Sequence, residues 1–352
     1  MFRYSVDLQK NFTLGKSFLK VVMNNCAIKI LVTREFPSIG IDLLKKEGFS
    51  VTEWRAEQPM TWQEMVDEAK KHQALFCTLT DRIDARFLNE CRHLDIVSQF
   101  GVGYDNINIA EATRLGIPVG NTPGVLSEAT ADIAFGLMIA TSRKMFWLHQ
   151  SILRGDWKYF TPNAHLGISL AGKTLGIFGL GRIGYEMAKR CRGAYNMDII
   201  YCNRHRNLKA ETDFGARLVS FDELLKQSDV LSVHCALTDE TNGLFNRDAF
   251  VKMKKSAIFI NTARGAVHNE ADLTEALQNG EIWGAGLDVT NPEPMGMDNH
   301  LLKMENVCVL PHVGSGNEET RGKMSILAAE NIIGFYRDGK VPHLVNPEAL
   351  GQ

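Results

Sequence analysis

Three segments in the second half of the chain carry side chains able to do chemistry, and each stands just past an apolar, strand-like run. They are Phe259-Ile260-Asn261-Thr262-Ala263-Arg264-Gly265, then Gly286-Leu287-Asp288-Val289 followed by Pro292-Glu293-Pro294, then Leu310-Pro311-His312-Val313-Gly314-Ser315. Ligands of doubly wound sheets bind outside the carboxyl ends of the strands, so all three segments are expected to face one crevice. An arginine, a carboxylate and a histidine would meet there. A guanidinium grips a planar anion through parallel N–H donors, and an imidazole exchanges protons near neutrality, so the set suits holding a small anion and moving a proton.

A fourth segment binds phosphate. The apolar run Leu175 to Phe178 leads into Gly179-Leu180-Gly181-Arg182-Ile183-Gly184, which opens a helical pattern. In such a turn one glycine permits the tight bend, a second lets the backbone approach a pyrophosphate, and a third lets helix and strand pack closely. Orphan N–H groups and the helix dipole then face the anion. The end of the next strand tells which dinucleotide is expected. An acidic residue there would bond a ribose 2′-hydroxyl, whereas arginine suits a 2′-phosphate. Here Ile199 to Cys202 runs into Asn203-Arg204-His205-Arg206, with no carboxylate. NADPH is therefore the preferred cofactor, with NADH possible, and Asn203→Asp together with Arg204→Ala is the change expected to favour NADH.

These segments need a scaffold, and the chain alternates strand and helix in two series. The first runs from Ile28 to Val119, with strands at Ile28 to Val32, Val51 to Trp54, Ala74 to Cys77, Leu94 to Ser98 and Ile117 to Val119. A long apolar helix is expected from Ser127 to Lys144, continuing through Met145 to Leu153, followed by a loop with Trp157, Tyr159 and Phe160. The second series begins at Gly172, and Glu319 to Arg337 forms a last long helix returning to the first. The fold class is α/β with two Rossmann-like doubly wound domains, the substrate domain discontinuous. The expected boundaries are 27–122 with 316–352 for a flavodoxin-like substrate-binding domain and 123–315 for the NAD(P)-binding domain. Residues 1–26, with Arg3, Lys10, Lys16 and Lys20 against Asp7, read as an amphipathic basic leader or a disordered extension.

Together with Gly101-Val102-Gly103-Tyr104-Asp105-Asn106, these motifs resemble the D-isomer-specific 2-hydroxyacid dehydrogenases, over about Ile28 to Pro347. Asn121-Thr122-Pro123-Gly124-Val125-Leu126, the run from Asp288 to Pro294 and the Asn203-Arg204 pair are similar to the glyoxylate/hydroxypyruvate reductase branch and the related 2-ketogluconate reductases. The resemblance implies NADPH-dependent reduction of glyoxylate and hydroxypyruvate to D-2-hydroxy acids. It makes His312 the general acid, Glu293 its partner and Arg264 the substrate-binding arginine, while backbone N–H groups of Val102 and Gly103 hold the carboxylate and Leu79 lines the pocket. On the cofactor side it points to Ala236, Thr241, Thr262, His312 and Gly314, and puts Asp288 at the nicotinamide carboxamide or the rim. Ala236 stands where many members have proline. A rival reading is a dinucleotide-sensing scaffold, since transcriptional corepressors of this family keep the triad. His234 is expected to line the pocket or core, and His205 and His268 to sit at the surface or beside phosphate.

Bulk properties exclude other classes. Lys plus Arg number 39 against 41 Asp plus Glu without a block of either sign, which argues against a nucleic-acid or membrane surface. Seven cysteines without a C-x-x-C pair suit reduced thiols in the cytoplasm, unless the leader directs the chain to an organelle. No histidine pairs with cysteine or acid at metal spacing, so no metal is expected. The expected partners are a small 2-oxo acid and, given the apolar helix and aromatic loop, a second copy of the chain.

Overall fold

The computed structural model describes residues 27–352, and the leader read over 1–26 lies outside the described residues. Contacts divide the described chain into two units, 27–125 with 317–352, and 126–316. Both are parallel sheets covered by helices, the mixed α/β class expected.

The first unit has strands β1 (Lys29–Val32), β2 (Ser50–Glu53), β3 (Ala74–Thr78), β4 (Ile96–Phe100) and β5 (Val119–Gly120), in the order β2-β1-β3-β4-β5. Its helices are α1 (Ser38–Lys46), α2 (Trp62–Ala69), α3 (Ala85–Glu90) and α4 (Ile109–Arg114). β3 and β4 are buried almost throughout because both faces are covered. Their order reverses between β1 and β3, where such sheets bind ligands. The long C-terminal helix Glu318–Asp338 packs on α1 and β4.

The second unit opens with α5 (Ser127–Ser142) and α6 (Met145–Leu153). The expected single helix is broken. The Ile168 N–H takes the Ser142 carbonyl, and Lys144 adopts a left-handed φ of 55°, which a right-handed helix cannot contain. Seven strands follow: β6 (Thr174–Phe178), β7 (Asp198–Cys202), β8 (Arg217–Leu218), β9 (Val230–Val233), β10 (Ile258–Asn261), β11 (Gly284–Leu287) and β12 (Val307–Val309). Their order, β12-β11-β10-β9-β6-β7-β8, is that of a dinucleotide-binding sheet extended by one strand. Between β6 and β7 lies α7 (Arg182–Tyr195), whose buried Gly184, Met187, Ala188 and Cys191 follow helical spacing. Helix α8 (Leu208–Phe214) and strand β8 carry no sequence signal, since α8 buries only Ala210 and both β8 side chains are exposed. The remaining helices are α9 (Phe221–Gln227), α10 (Arg247–Lys252), α11 (Glu270–Gln278) and, in the first unit, α12 (Glu318–Asp338).

Candidate active site

In the second unit, sheet order reverses between β6 and β9, and the glycine turn sits at that point. Gly179 has φ 90°, and a Cβ there would lie 2.6 Å from the Cys235 nitrogen. A Cβ on Gly184 would press against the Gly179 carbonyl at 3.0 Å, so α7 approaches β6 only without one. Gly181 is different: no atom lies within 4 Å of where its Cβ would stand. The orphan amides of Arg182 and Ile183, at the N-terminus of a 14-residue helix, are donors of the kind that bind a pyrophosphate.

The loop after β7 is laced to this turn. Asn203 accepts from the Leu180 N–H at 2.6 Å and donates to the Leu180 carbonyl at 3.1 Å, and Asn207 donates to the same carbonyl at 3.1 Å. The two guanidiniums expected for a 2′-phosphate differ in their surroundings. Arg206 is forked onto Glu211, whose carboxyl that fork and the Tyr201 hydroxyl hold below the usual range. Arg204 and His205 remain exposed on the loop. On the next strand end, Thr241 accepts from the Thr238 N–H and donates to the Ala236 carbonyl, each at 2.8 Å, so this loop is tied without a proline at 236. Half-buried His234 bonds Ser232 at 2.8 Å and approaches Thr262 at 3.4 Å, and burial pushes its pKa down to about 3. It stays neutral at physiological pH.

Past β12, His312 Nδ1 meets Glu293 Oε1 at 2.5 Å. The peptide bonds before Pro292 and Pro294, on either side of Glu293, are cis. His312 has φ 54°, a left-handed conformation that a non-glycine side chain holds only when its surroundings dictate it. Asp288 is the residue that dictates it. Its carboxylate accepts from the N–H groups of Val313 and Gly314, each at 2.8 Å, and its carbonyl accepts from the His312 N–H at 2.9 Å. Buried to 1 % exposure, Asp288 is not on the rim, and burial raises its pKa against the pull of those amides. The Gly314 N–H likewise serves Asp288. Both expected cofactor contacts thus fix the loop that presents His312.

Arg264 follows β10 half-buried, its Nη1 donating to the Ala263 carbonyl at 2.8 Å. Asn261 shapes this turn: its amide donates to the Arg264 carbonyl at 2.9 Å and His268 Nδ1 at 3.0 Å, and its oxygen accepts from the Ala263 N–H at 2.9 Å. His268 is therefore buried and not at the surface, with its pKa pushed down to about 4. Gly265 allows the close passage of the next strand end, since a Cβ would fall 1.9 Å from the Thr290 carbonyl oxygen. Sequence reasoning missed Asn261, although a polar residue closing the apolar run Ile258-Phe259-Ile260 is a visible signal.

In the first unit, Leu79 stands half-buried after β3, and Val102 and Gly103 follow β4. Three successive carbonyls of that loop are turned into the unit. Gly101 O accepts from the Thr122 N–H at 2.9 Å, Val102 O from Asn121 Nδ2 at 2.9 Å and Gly103 O from Gln99 Nε2 at 3.3 Å. In a trans planar peptide the N–H points opposite to the preceding C=O, so the amides of Val102, Gly103 and Tyr104 face away from those donors. Backbone amides of successive residues are donors of the kind that can bind an anion. Among the described residues, no group of three His, Cys, Asp or Glu could hold a metal, and no helix is long and apolar enough to cross a membrane.

A glycine-turn nucleotide unit joined to a second parallel α/β unit is the build of an NAD(P)-dependent oxidoreductase. Residues 135–314 match the family described as "D-isomer specific 2-hydroxyacid dehydrogenase, NAD binding domain". The chain is 42 % identical over 323 residues to the glyoxylate reductase of Korarchaeum cryptofilum, covering 92 % of this chain and 97 % of that protein. It is 38 % identical to the human glyoxylate reductase/hydroxypyruvate reductase, covering 90 % and 97 %. The NADPH-dependent glyoxylate/hydroxypyruvate reductase of Sinorhizobium meliloti, solved with NADP and malonate, superposes with a TM-score of 0.78 at 31 % identity, covering 92 % and 98 %. The chain belongs to the D-isomer specific 2-hydroxyacid dehydrogenases.

Proposed function

We propose that this protein reduces small 2-oxo acids, glyoxylate and hydroxypyruvate foremost, to D-2-hydroxy acids at the expense of NADPH. The observation that carries the reading is the His312–Glu293 pair at 2.5 Å, held on left-handed backbone by Asp288. The dinucleotide is assigned to Gly179 to Gly184, and the proton donor, its partner and the substrate arginine to His312, Glu293 and Arg264 of the same unit, 126–316. The bound cofactor supplies a hydride to the carbonyl carbon. Arg264 orients the carboxylate and ketone of the substrate with its planar fork. Negative charge gathering on the ketone oxygen is met by a proton from His312 Nε2, while Glu293 at Nδ1 fixes the orientation of the ring. The relatives named as glyoxylate reductases support the substrate class. Measuring NADPH oxidation with glyoxylate, hydroxypyruvate and 2-ketogluconate tests the reading. Turnover is expected on the first two, and no turnover on any would overturn it in favour of a dinucleotide sensor.

Exposed Arg204 is the residue we assign to the 2′-phosphate, since Arg206 is forked onto Glu211. Asn203→Asp would set an oxygen against the Leu180 carbonyl, so Arg204→Ala is the cleaner variant. Losing one charge-assisted bond should lower the ratio of kcat/KM for NADPH over NADH by about tenfold. An unchanged ratio would remove the assignment. The second unit also exposes apolar surface on and after α6, where Leu153, Trp157, Tyr159, Phe160 and Leu166 are each more than half exposed. We assign that face to a second copy of the chain. Sedimentation is expected to show a dimer that Trp157→Asp with Phe160→Asp dissociates, and a monomeric wild-type protein would refute it.

A further inference from the structure

Behind the loop of Val102 and Gly103 lies a polar cluster that the roles above leave unused. Gln99 is wholly buried in β4 and all its hydrogen-bonding capacity is directed. Its Nε2 donates to the Gly103 carbonyl at 3.3 Å and Asn106 Oδ1 at 3.0 Å, and its Oε1 accepts from Cys77 Sγ at 3.2 Å. Asn106 in turn donates to the carbonyls of Thr78 at 3.2 Å and Asp81 at 2.9 Å. Asp81 accepts from the Thr33 hydroxyl at 2.5 Å and the Thr78 N–H at 2.8 Å. The cluster thereby ties together the carboxyl ends of β1, β3 and β4, and with them the loops of Leu79 and Val102.

Stability alone does not call for it, because apolar side chains of the same shape can replace a buried hydrogen-bonded set at little cost. What the cluster controls is a peptide plane. Gly103 lacks a Cβ and has the backbone freedom to let the Gly103–Tyr104 peptide turn over. If it did, a carbonyl oxygen would stand where the Tyr104 N–H now points and would repel an anion there.

We propose that Gln99 and Asn106 are positioning residues for substrate binding: by holding the Gly103 carbonyl inward they present the Tyr104 N–H, beside those of Val102 and Gly103, as a third donor to the substrate carboxylate. This inference rests on the proposed function. Its test is Gln99→Met, which keeps length and apolar bulk but cannot donate, assayed with glyoxylate and with the unreactive carboxylate oxamate. KM for glyoxylate and Ki for oxamate are expected to rise together, about tenfold, with kcat and the KM for NADPH within about twofold. Should Gln99→Met not accumulate in folded form, Asn106→Ala releases the same amide and is expected to give the same split. Unchanged KM and Ki in a folded variant, or an equal rise in the KM for NADPH, would overturn the inference while leaving the reductase reading intact. Absence of turnover in the wild-type protein would overturn both.

Discussion

His312→Ala is expected to lower kcat for glyoxylate reduction by about 10² to 10⁴, the usual contribution of a positioned general acid, and to leave the Kd for NADPH within about twofold. The size follows from how much of the fold is committed to that one ring. A buried carboxylate, Asp288, takes two consecutive backbone amides to keep His312 left-handed, and Glu293 takes Nδ1 at 2.5 Å so that Nε2 is the ring nitrogen left for the proposed proton transfer. Glu293→Gln retains a hydrogen-bonding group at Nδ1 but not its charge, and falls between alanine and wild type. Steady-state rates with cofactor affinity measured in parallel check both. A kcat near wild type for His312→Ala would exclude it as the proton donor.

Arg264→Gln comes second, with an expected loss of about 10² to 10³ in kcat/KM for glyoxylate, in line with the cost of truncating one partner of a hydrogen-bonded charge pair. Arg264→Lys restores little of it, because an ammonium cannot span a carboxylate and a neighbouring ketone as a planar fork does. Asn261 and the close passage at Gly265 set the turn around Arg264 and are not touched by these substitutions, although the Nη1 bond to the Ala263 carbonyl goes with the guanidinium. The lost activity therefore reports the guanidinium. Activity of Arg264→Lys equal to wild type would show that only charge is needed there.

The α/β class and the nucleotide turn were legible in the sequence because both are written locally: apolar strands alternate with helical spacing, and three glycines stand at the spacing of a phosphate turn, two of them where a positive φ or a close approach requires them. Hydrogen bonds between distant residues were not. The carboxylate of Asp288 is satisfied by amides 25 and 26 residues away, and the chain shows only an acid after a strand. Arg206 and Glu211 are close in sequence, yet their pairing depends on α8, which buries one alanine and leaves no periodic mark. His268 sits in a polar stretch and is buried because Asn261, seven residues earlier, reaches its ring. Gln99 and Asn261 went unread too, although each is a polar side chain in or at the end of a strand.

The most direct measurement is the fate of the hydride. With NADPH deuterated at C4 on the transferring face, hydroxypyruvate is expected to become D-glycerate carrying deuterium at C2, with one NADPH oxidised per product. Glycerate lacking deuterium, or of L configuration, would contradict the account.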